Sequence, residues 1–173
     1  MNKGIGGHTK PNKGATTIWL TPKWIIDALG PFDLDPCGAP VPRPWDTGAL
    51  HYTEKDSDGL MRPWFGRVFL NPPYDESTKL WLEKMAEHGC GTVLIFARTE
   101  TPMFQKLVFE RASAIVFLAG RLYFHHPDGR RAAGNAGGPS VLASYGSRDQ
   151  DRLLQATASG KIPGTYITLG GNR

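Results

Sequence analysis

The sequence has little of what secreted, membrane-spanning or metal-dependent proteins require. Its two cysteines, Cys37 and Cys90, show no disulfide-framework spacing, so a reduced, cytoplasmic chain is expected. No apolar run reaches transmembrane length, and residues 1–14 lack the apolar core of a signal peptide. His125 and His126 are a poor metal pair, because neighbouring strand residues face opposite ways, and no metal is predicted.

The length of 173 residues and the net charge of +4 indicate one mildly basic domain. Residues 1–16 are rich in glycine and lysine and poor in apolar residues, which predicts a flexible tail. A single domain is expected over residues 17–173. The positive charge permits a nucleic-acid partner but does not require one, because many soluble proteins share it.

Short apolar runs alternate with amphipathic stretches, which predicts an α/β fold with a mostly parallel sheet. Strands are predicted at 32–35, 67–70, 92–97 and 114–118, and helices at 22–29 (with Thr21 as N-cap), 78–88 and 102–111. A late antiparallel hairpin is predicted between 122–124 and 140–145. A last helix is expected from Ser147, which forms a capping-box pattern with Gln150, and an edge strand is expected at 167–169.

The tetrapeptide Asn71-Pro72-Pro73-Tyr74 directly follows one of these predicted strands. The two prolines prevent the strand from continuing and impose a stiff turn at its carboxyl end. Asn71 offers a side-chain oxygen there, Pro72 a free carbonyl and Tyr74 a flat ring. Two acceptors beside an aromatic face suit a planar amino group, and the motif resembles the catalytic motif of S-adenosylmethionine-dependent amino-methyltransferases.

A second candidate site, Asp35-Pro36-Cys37, also lies at the end of a predicted strand. Asp33 and Asp35 alternate along that strand and face opposite sides, so only one of them should meet a ligand. Asp35 is nearer the strand end and is predicted to accept hydrogen bonds from a cationic amine or a ribose hydroxyl. Ligands of α/β sheets bind outside the carboxyl ends of the strands, where both sites fall.

The order of these and further motifs resembles the phage-type DNA N6-adenine methyltransferase (Dam-like) family. The motifs are Trp19-x-Thr21-Pro22, Phe32 to Cys37, Thr53-x-x-Asp56-x-Asp58-Gly59-Leu60, Asn71 to Tyr74, Phe96 to Thr101, Gly120-Arg121-x-x-Phe124 and Pro139-Ser140. The resemblance extends from about Trp19 to Tyr145. The chain departs from larger members in having one glycine, Gly38, in the first cofactor loop and no long insertion for target recognition.

The resemblance implies a Rossmann-like methyltransferase fold, S-adenosylmethionine as cofactor and DNA as partner. The implied cofactor-binding residues are Thr21, Pro22, Asp35, Pro36, Cys37, Asp56, Asp58 and Asn71. The implied catalytic residues are Asn71, Pro72, Pro73 and Tyr74. The flipped target base is expected to stack on Tyr74, with Phe124 as a candidate for its opposite face.

The basic stretch 125–131 contains Arg130 and Arg131 and precedes a glycine-rich segment. It is predicted either to contact DNA phosphates or to form a solvated hairpin tip. Two other functions stay open at this point. The same tetrapeptide could methylate an RNA base or a protein glutamine, and a catalytically silent DNA-binding protein could keep the fold.

Overall fold

The computed structural model describes residues 18–53 and 58–170, and the predicted tail and Asp56 lie outside these ranges. Within them, seven strands form one sheet in the order β2-β1-β3-β4-β6-β5-β7. The strands are β1 (Leu34–Asp35), β2 (Leu50–His51), β3 (Val68–Leu70), β4 (Gly91–Phe96), β5 (Ala114–Leu118), β6 (Ser140–Tyr145) and β7 (Gly164–Thr168). The helices are α1 (Lys23–Leu29), α2 (Thr78–His88), α3 (Pro102–Phe104, continued by a π-helical turn at Gln105–Phe109) and α4 (Ser147–Ala158).

The sheet is parallel in one half and antiparallel in the other. Strands β2, β1, β3 and β4 pair in parallel, whereas the β4–β6, β6–β5 and β5–β7 pairs are antiparallel. The α/β class is therefore confirmed, but the prediction of a mostly parallel sheet holds only for the first half. The carboxyl ends of β1, β2 and β3 meet at one edge of the sheet.

The predicted hairpin between 122–124 and 140–145 was wrong. Strand β6 is buried along its whole length and pairs with β4 on one side and β5 on the other. The Leu122 and Phe124 carbonyls instead accept hydrogen bonds from Ala136 and Ala132 of the glycine-rich loop. The apolar side chains of Leu122 and Phe124 cover one face of the sheet, so their hydrophobic pattern reflects packing and not membership of the sheet.

The sheet carries an apolar core on each face, as the continuous apolar run of β4 predicts. Val93 and Ile95 belong to the first cluster, together with residues of α2 and of the segment 102–109. Leu94 belongs to the second cluster, with residues of α1 and α4. Among the described residues, no helix is long and apolar enough to span a membrane.

The helix boundaries differ slightly from the predictions. Helix α1 begins after Pro22, so the predicted N-cap Thr21 lies one residue too early. Helix α2 has the predicted bounds. Helix α4 starts at Ser147, but Gly146 occupies the N-cap position and no capping-box hydrogen bond forms. The predicted edge strand exists, but it spans Gly164–Thr168.

A buried ion pair joins α1, β3, β4 and α4 beneath the sheet. The Arg67 guanidinium donates to both carboxylate oxygens of Asp149 at 2.7 and 3.0 Å, and both side chains are fully buried. Arg67 also donates to the carbonyls of Leu29 and Pro31, and Thr92 donates to Asp149. The network satisfies both buried charges and connects α1 to the strand that leads into Asn71.

Candidate active site

A cleft of about 480 Å³ opens at the carboxyl edge of the parallel strands. Its lining comes from the loops after β1, β2 and β3, from the segment before α1 and from α2. The residues are Ile18, Trp19, Pro36, Cys37, Gly38, Ala39, Pro40, Tyr52, Thr53, Asp58, Gly59, Leu60, Asn71, Pro72, Pro73, Tyr74, Asp75, Ser77 and Trp81. The structure thus brings the two sequence-predicted sites to one concave surface of a size that accommodates a cofactor-sized ligand.

The Asn71–Tyr74 turn forms one wall of this cleft. Asn71 is half-buried at the end of β3, and Pro72 is buried. The hydroxyl of Thr78, in the first turn of α2, donates to the carbonyl of Pro73 at 2.5 Å. Because the turn is fixed both by its prolines and by α2, the Asn71 side chain is presented from a rigid support.

Tyr74 is held against the sheet on one side. Its ring stacks on Phe96, with centroids 4.3 Å apart and an interplanar angle of 25°. Its hydroxyl lies 3.2 Å from Asn71 Oδ1 and 3.4 Å from the Leu94 carbonyl, and burial raises the Tyr74 pKa well above its usual value. The residue as a whole is still 42% exposed, so part of the ring faces the cleft while the hydroxyl end is enclosed.

Asp35 lies in a small recess of about 30 Å³ beside the cleft, which Thr21 and Asn71 also line. Its carboxylate accepts hydrogen bonds from the Thr47 hydroxyl and from the Cys37 amide. Burial raises the Asp35 pKa from its ordinary 3.8 to about 6, against the opposing effects of these hydrogen bonds and of Arg43. Asp33 faces elsewhere and accepts from the Arg67 amide, as the alternation along the strand predicts.

The residues around Asp35 were missed at the sequence level. Thr47 also lies 3.1 Å from His51 Nε2, and Arg43 donates to His51 Nδ1 at 2.7 Å. Burial, and secondarily the Arg43 charge, lower the His51 pKa to about 4, so His51 is neutral at physiological pH. Only a glycine fits at position 38, because a Cβ atom there would lie 2.7 Å from the His51 ring.

The loop containing Asp58 forms a further part of the cleft wall. Gly59 packs against Pro36 so closely that a Cβ atom would lie 1.9 Å from the Pro36 carbonyl oxygen. Lys84 of α2 donates to the carbonyls of Gly59 and Leu60 at 3.2 and 2.6 Å. Desolvation by burial lowers the Lys84 pKa. This contact is a further feature that the sequence does not reveal.

Three further predicted residues, Phe124, Arg130 and Arg131, do not line the cleft or its recess. Phe124 is 8% exposed and packs in the second core cluster, and its position opposite Tyr74 stays a prediction. Arg130 is exposed and pairs with Asp128 at 2.7 Å, and Arg131 is exposed over the Tyr123 ring. The basic stretch nevertheless adjoins the cleft through His126, whose ring lies 5.0 Å from that of Trp19.

The mixed α/β sheet thus carries a cleft lined by both apolar and polar residues at the carboxyl ends of its parallel strands, where ligands of α/β sheets commonly bind. Residues 8–155 match the family model described as DNA N-6-adenine-methyltransferase (Dam). The match covers most of the chain, and the protein belongs to this family. Searches of curated proteins and of solved structures gave no match.

Proposed function

We propose that this protein transfers the methyl group of S-adenosylmethionine to N6 of adenine in DNA. The observation that carries the proposal is the rigid Asn71–Tyr74 turn, which presents an amide oxygen and an aromatic ring in the cleft that adjoins Asp35. Membership of the DNA N-6-adenine-methyltransferase family supports both the reaction and the substrate. The order of the parallel strands and the cleft above their ends support a Rossmann-like fold.

The cleft fits S-adenosylmethionine in size and in chemistry. A buried carboxylate, Asp35, suits the ammonium group of the cofactor, because a charge-assisted hydrogen bond compensates its desolvation. Tyr52 and Trp81 offer apolar surface, and the exposed carboxylate of Asp58 offers an acceptor for ribose or adenine. Thr21, Pro22, Pro36 and Cys37 complete the proposed site. When bound, the cofactor would supply an electrophilic methyl group on a sulfonium sulfur.

The protein's own contribution would be to make the adenine amino nitrogen a better nucleophile. That nitrogen is conjugated into its ring, so its lone pair is poorly available. The Asn71 Oδ1 and Pro72 carbonyl oxygens would accept its two N–H groups and favour a tetrahedral geometry with a free lone pair. Positioning and electrostatic stabilisation would then supply the rate enhancement without a covalent enzyme intermediate.

A duplex base would have to be flipped out to reach this turn. Phe96 covers one face of Tyr74, so the base would stack on the other face, which is directed to the cleft. The opposite side of the base would be covered by Phe124, as the family resemblance implies, or by Trp19, which lines the cleft and is 38% exposed.

Asp35→Asn is expected to weaken S-adenosylmethionine binding by about 10- to 100-fold, because the charge-assisted hydrogen bond is lost. Binding to the wild type should strengthen between pH 5 and pH 7, as Asp35, with its pKa of about 6, becomes ionised. Calorimetry across this range measures both effects. The matched control is Asp33→Asn, two residues away on the opposite face, and equal losses in the two variants would contradict the assignment.

The same substitution is expected to stabilise the ligand-free protein at neutral pH. The Asp35 pKa is raised on folding, so its contribution to stability is greatest below about pH 4 and is lost as the pH rises through about 6. Raising the Asp35 pKa from 3.8 to about 6 corresponds to roughly 3 kcal/mol at pH 7 as an upper bound. Urea unfolding should show that the gain in the free energy of unfolding from Asp35→Asn, present at pH 7, disappears at pH 4. An equal gain at both pH values would show that the effect does not come from the raised pKa of Asp35.

The stretch 125–131 is proposed to contact DNA phosphates beside the cleft. Replacing both Arg130 and Arg131 with alanine should weaken DNA binding and reduce the log–log salt slope by about 1.8, as expected for two lost phosphate contacts. Cofactor binding should not change. The charge-matched control replaces Arg111 and Arg148, which lie at the opposite edge of the sheet, before β5 and after β6. An unchanged salt slope in the Arg130/Arg131 variant would mean that residues 125–131 do not contact DNA phosphates and are only a solvent-exposed tip.

The proposal is tested by incubating the protein with methyl-labelled S-adenosylmethionine and, separately, DNA, RNA and a protein extract. Label is expected in DNA. Label confined to RNA or to protein glutamine would reassign the substrate while keeping the amino-methyltransferase chemistry. Cofactor binding without transfer to any of the three would instead indicate a catalytically silent DNA-binding protein.

A further inference from the structure

The Tyr74 hydroxyl lies within hydrogen-bonding distance of the Asn71 side chain. It is 3.2 Å from Asn71 Oδ1 and 3.4 Å from the Leu94 carbonyl oxygen, within the enclosed end of the turn. The ring cannot move freely, because Phe96 stacks on it at 4.3 Å. Phe96 in turn lies so near Gly138 that a Cβ atom there would be 3.3 Å from its ring. The stacking of Tyr74 on Phe96 therefore holds the hydroxyl next to Asn71.

An asparagine amide needs such a partner, because its two ends have opposite chemistry. Oδ1 accepts hydrogen bonds and Nδ2 donates them, so a rotation of the amide by 180° would direct N–H groups at the N–H groups of a target amine. Among the described residues, the Tyr74 hydroxyl is the hydrogen-bonding partner of the Asn71 side chain. The hydroxyl has one hydrogen, and its nearer acceptor is Asn71 Oδ1 at 3.2 Å, compared with 3.4 Å for the Leu94 carbonyl oxygen. Donation to Oδ1 favours the oxygen end of the amide on the Tyr74 side, and the second lone pair of Oδ1 stays available for the target.

We propose that the Tyr74 hydroxyl is a positioning group that keeps the Asn71 oxygen, and not its NH₂ group, directed toward the target amine. This inference rests on the proposed function and divides Tyr74 into two separable roles. The ring supports the base, whereas the hydroxyl sets the orientation of the catalytic amide. Removing the hydroxyl alone therefore acts on the chemical step and leaves the stacking surface in place.

Tyr74→Phe tests the role of the hydroxyl because phenylalanine retains the ring. The expected result is a kcat lowered by about three- to tenfold, the loss of one neutral hydrogen bond, with KM for DNA and cofactor affinity nearly unchanged. Tyr74→Ala should in addition raise KM for DNA, because the stacking surface is lost. A Tyr74→Phe enzyme with wild-type kcat would overturn the proposal.

The Asn71→Asp background separates orientation from a general effect of the hydroxyl. A carboxylate has two equivalent oxygens and no NH₂ group, so it needs no hydrogen-bond donor to fix its orientation. In this background, adding Tyr74→Phe should lower kcat less than twofold. If the factor is the same in both backgrounds, the hydroxyl does not act through the orientation of Asn71, and the proposal fails.

A measurement that does not depend on activity keeps the inference testable if Asn71→Asp has no activity or if the proposed reaction is wrong. In the wild type, the hydrogen bond deshields the Asn71 amide carbon, so its 13Cγ resonance should move upfield in Tyr74→Phe. The resonance of the exposed Asn135 serves as the control and should not move. An unchanged Asn71 resonance would overturn the positioning role, whereas absent methyl transfer with a shifted resonance would overturn only the proposed function.

Discussion

Asn71→Ala is expected to lower the rate of methyl transfer by about 10²–10³-fold while cofactor affinity stays nearly unchanged. This magnitude corresponds to the loss of one preorganised hydrogen-bonding group that acts on the reacting atom. Alanine removes the acceptor that favours tetrahedral geometry at the target nitrogen, but it leaves Asp35 and the Asp58 loop in place. Single-turnover transfer to DNA gives the rate, and calorimetry gives the cofactor affinity.

Asn135→Ala is the matched control, because Asn135 is exposed on the loop that precedes β6. It should retain the wild-type rate. Two results would contradict the role of Asn71. One is a normal rate in Asn71→Ala. The other is a loss of cofactor affinity as large as the loss of rate, which would move Asn71 from the chemical step to ground-state binding.

Asp149→Ala is expected to lower the free energy of unfolding by about 3–5 kcal/mol, because it leaves the fully buried Arg67 guanidinium without its counter-charge. Arg67 precedes β3 directly, and its other bonds reach the end of α1. A loss of this size is a large fraction of the stability of a domain. Urea unfolding followed by circular dichroism measures it.

Asp151→Ala provides the control, since Asp151 lies on the same helix but is exposed. Its effect should stay within about 0.5 kcal/mol. Similar small losses in both variants would mean that the buried ion pair contributes little. If Asp149→Ala does not fold at all, Asp149→Asn should recover part of the stability, because an amide can still accept from Arg67 or Thr92.

The features predicted correctly are those set by local sequence. Two prolines after a short apolar run fix a turn at Asn71 whatever the rest of the chain does, and the 3.6-residue periodicity from Thr78 to His88 defines α2. The separation of Asp33 from Asp35 follows from the alternation of strand side chains. Because the carboxyl ends of parallel strands share one edge, the proximity of the Asp35 and Asn71 loops could also be predicted.

The features that were missed depend on contacts between distant segments. Arg67 and Asp149 are 82 positions apart, and nothing in the sequence around either residue marks it as a buried charge. Thr47 lies in a proline-rich loop and His51 ends the two-residue strand β2, and the positions of both are set by the segments they pack against. The apolar pattern at Leu122 and Phe124 suits a strand or a covering loop equally well, and only the pairing of β6 with β4 and β5 decides between them.

The most direct test of the central claim is the chemical identity of the methylated base. DNA is incubated with the protein and S-adenosylmethionine carrying a deuterated methyl group, digested to nucleosides and analysed by mass spectrometry. We predict labelled N6-methyldeoxyadenosine with the wild type, and at least a hundredfold less with Asn71→Ala. Label on deoxycytidine, or an equal yield from both proteins, would contradict methyl transfer to adenine at the Asn71–Tyr74 turn.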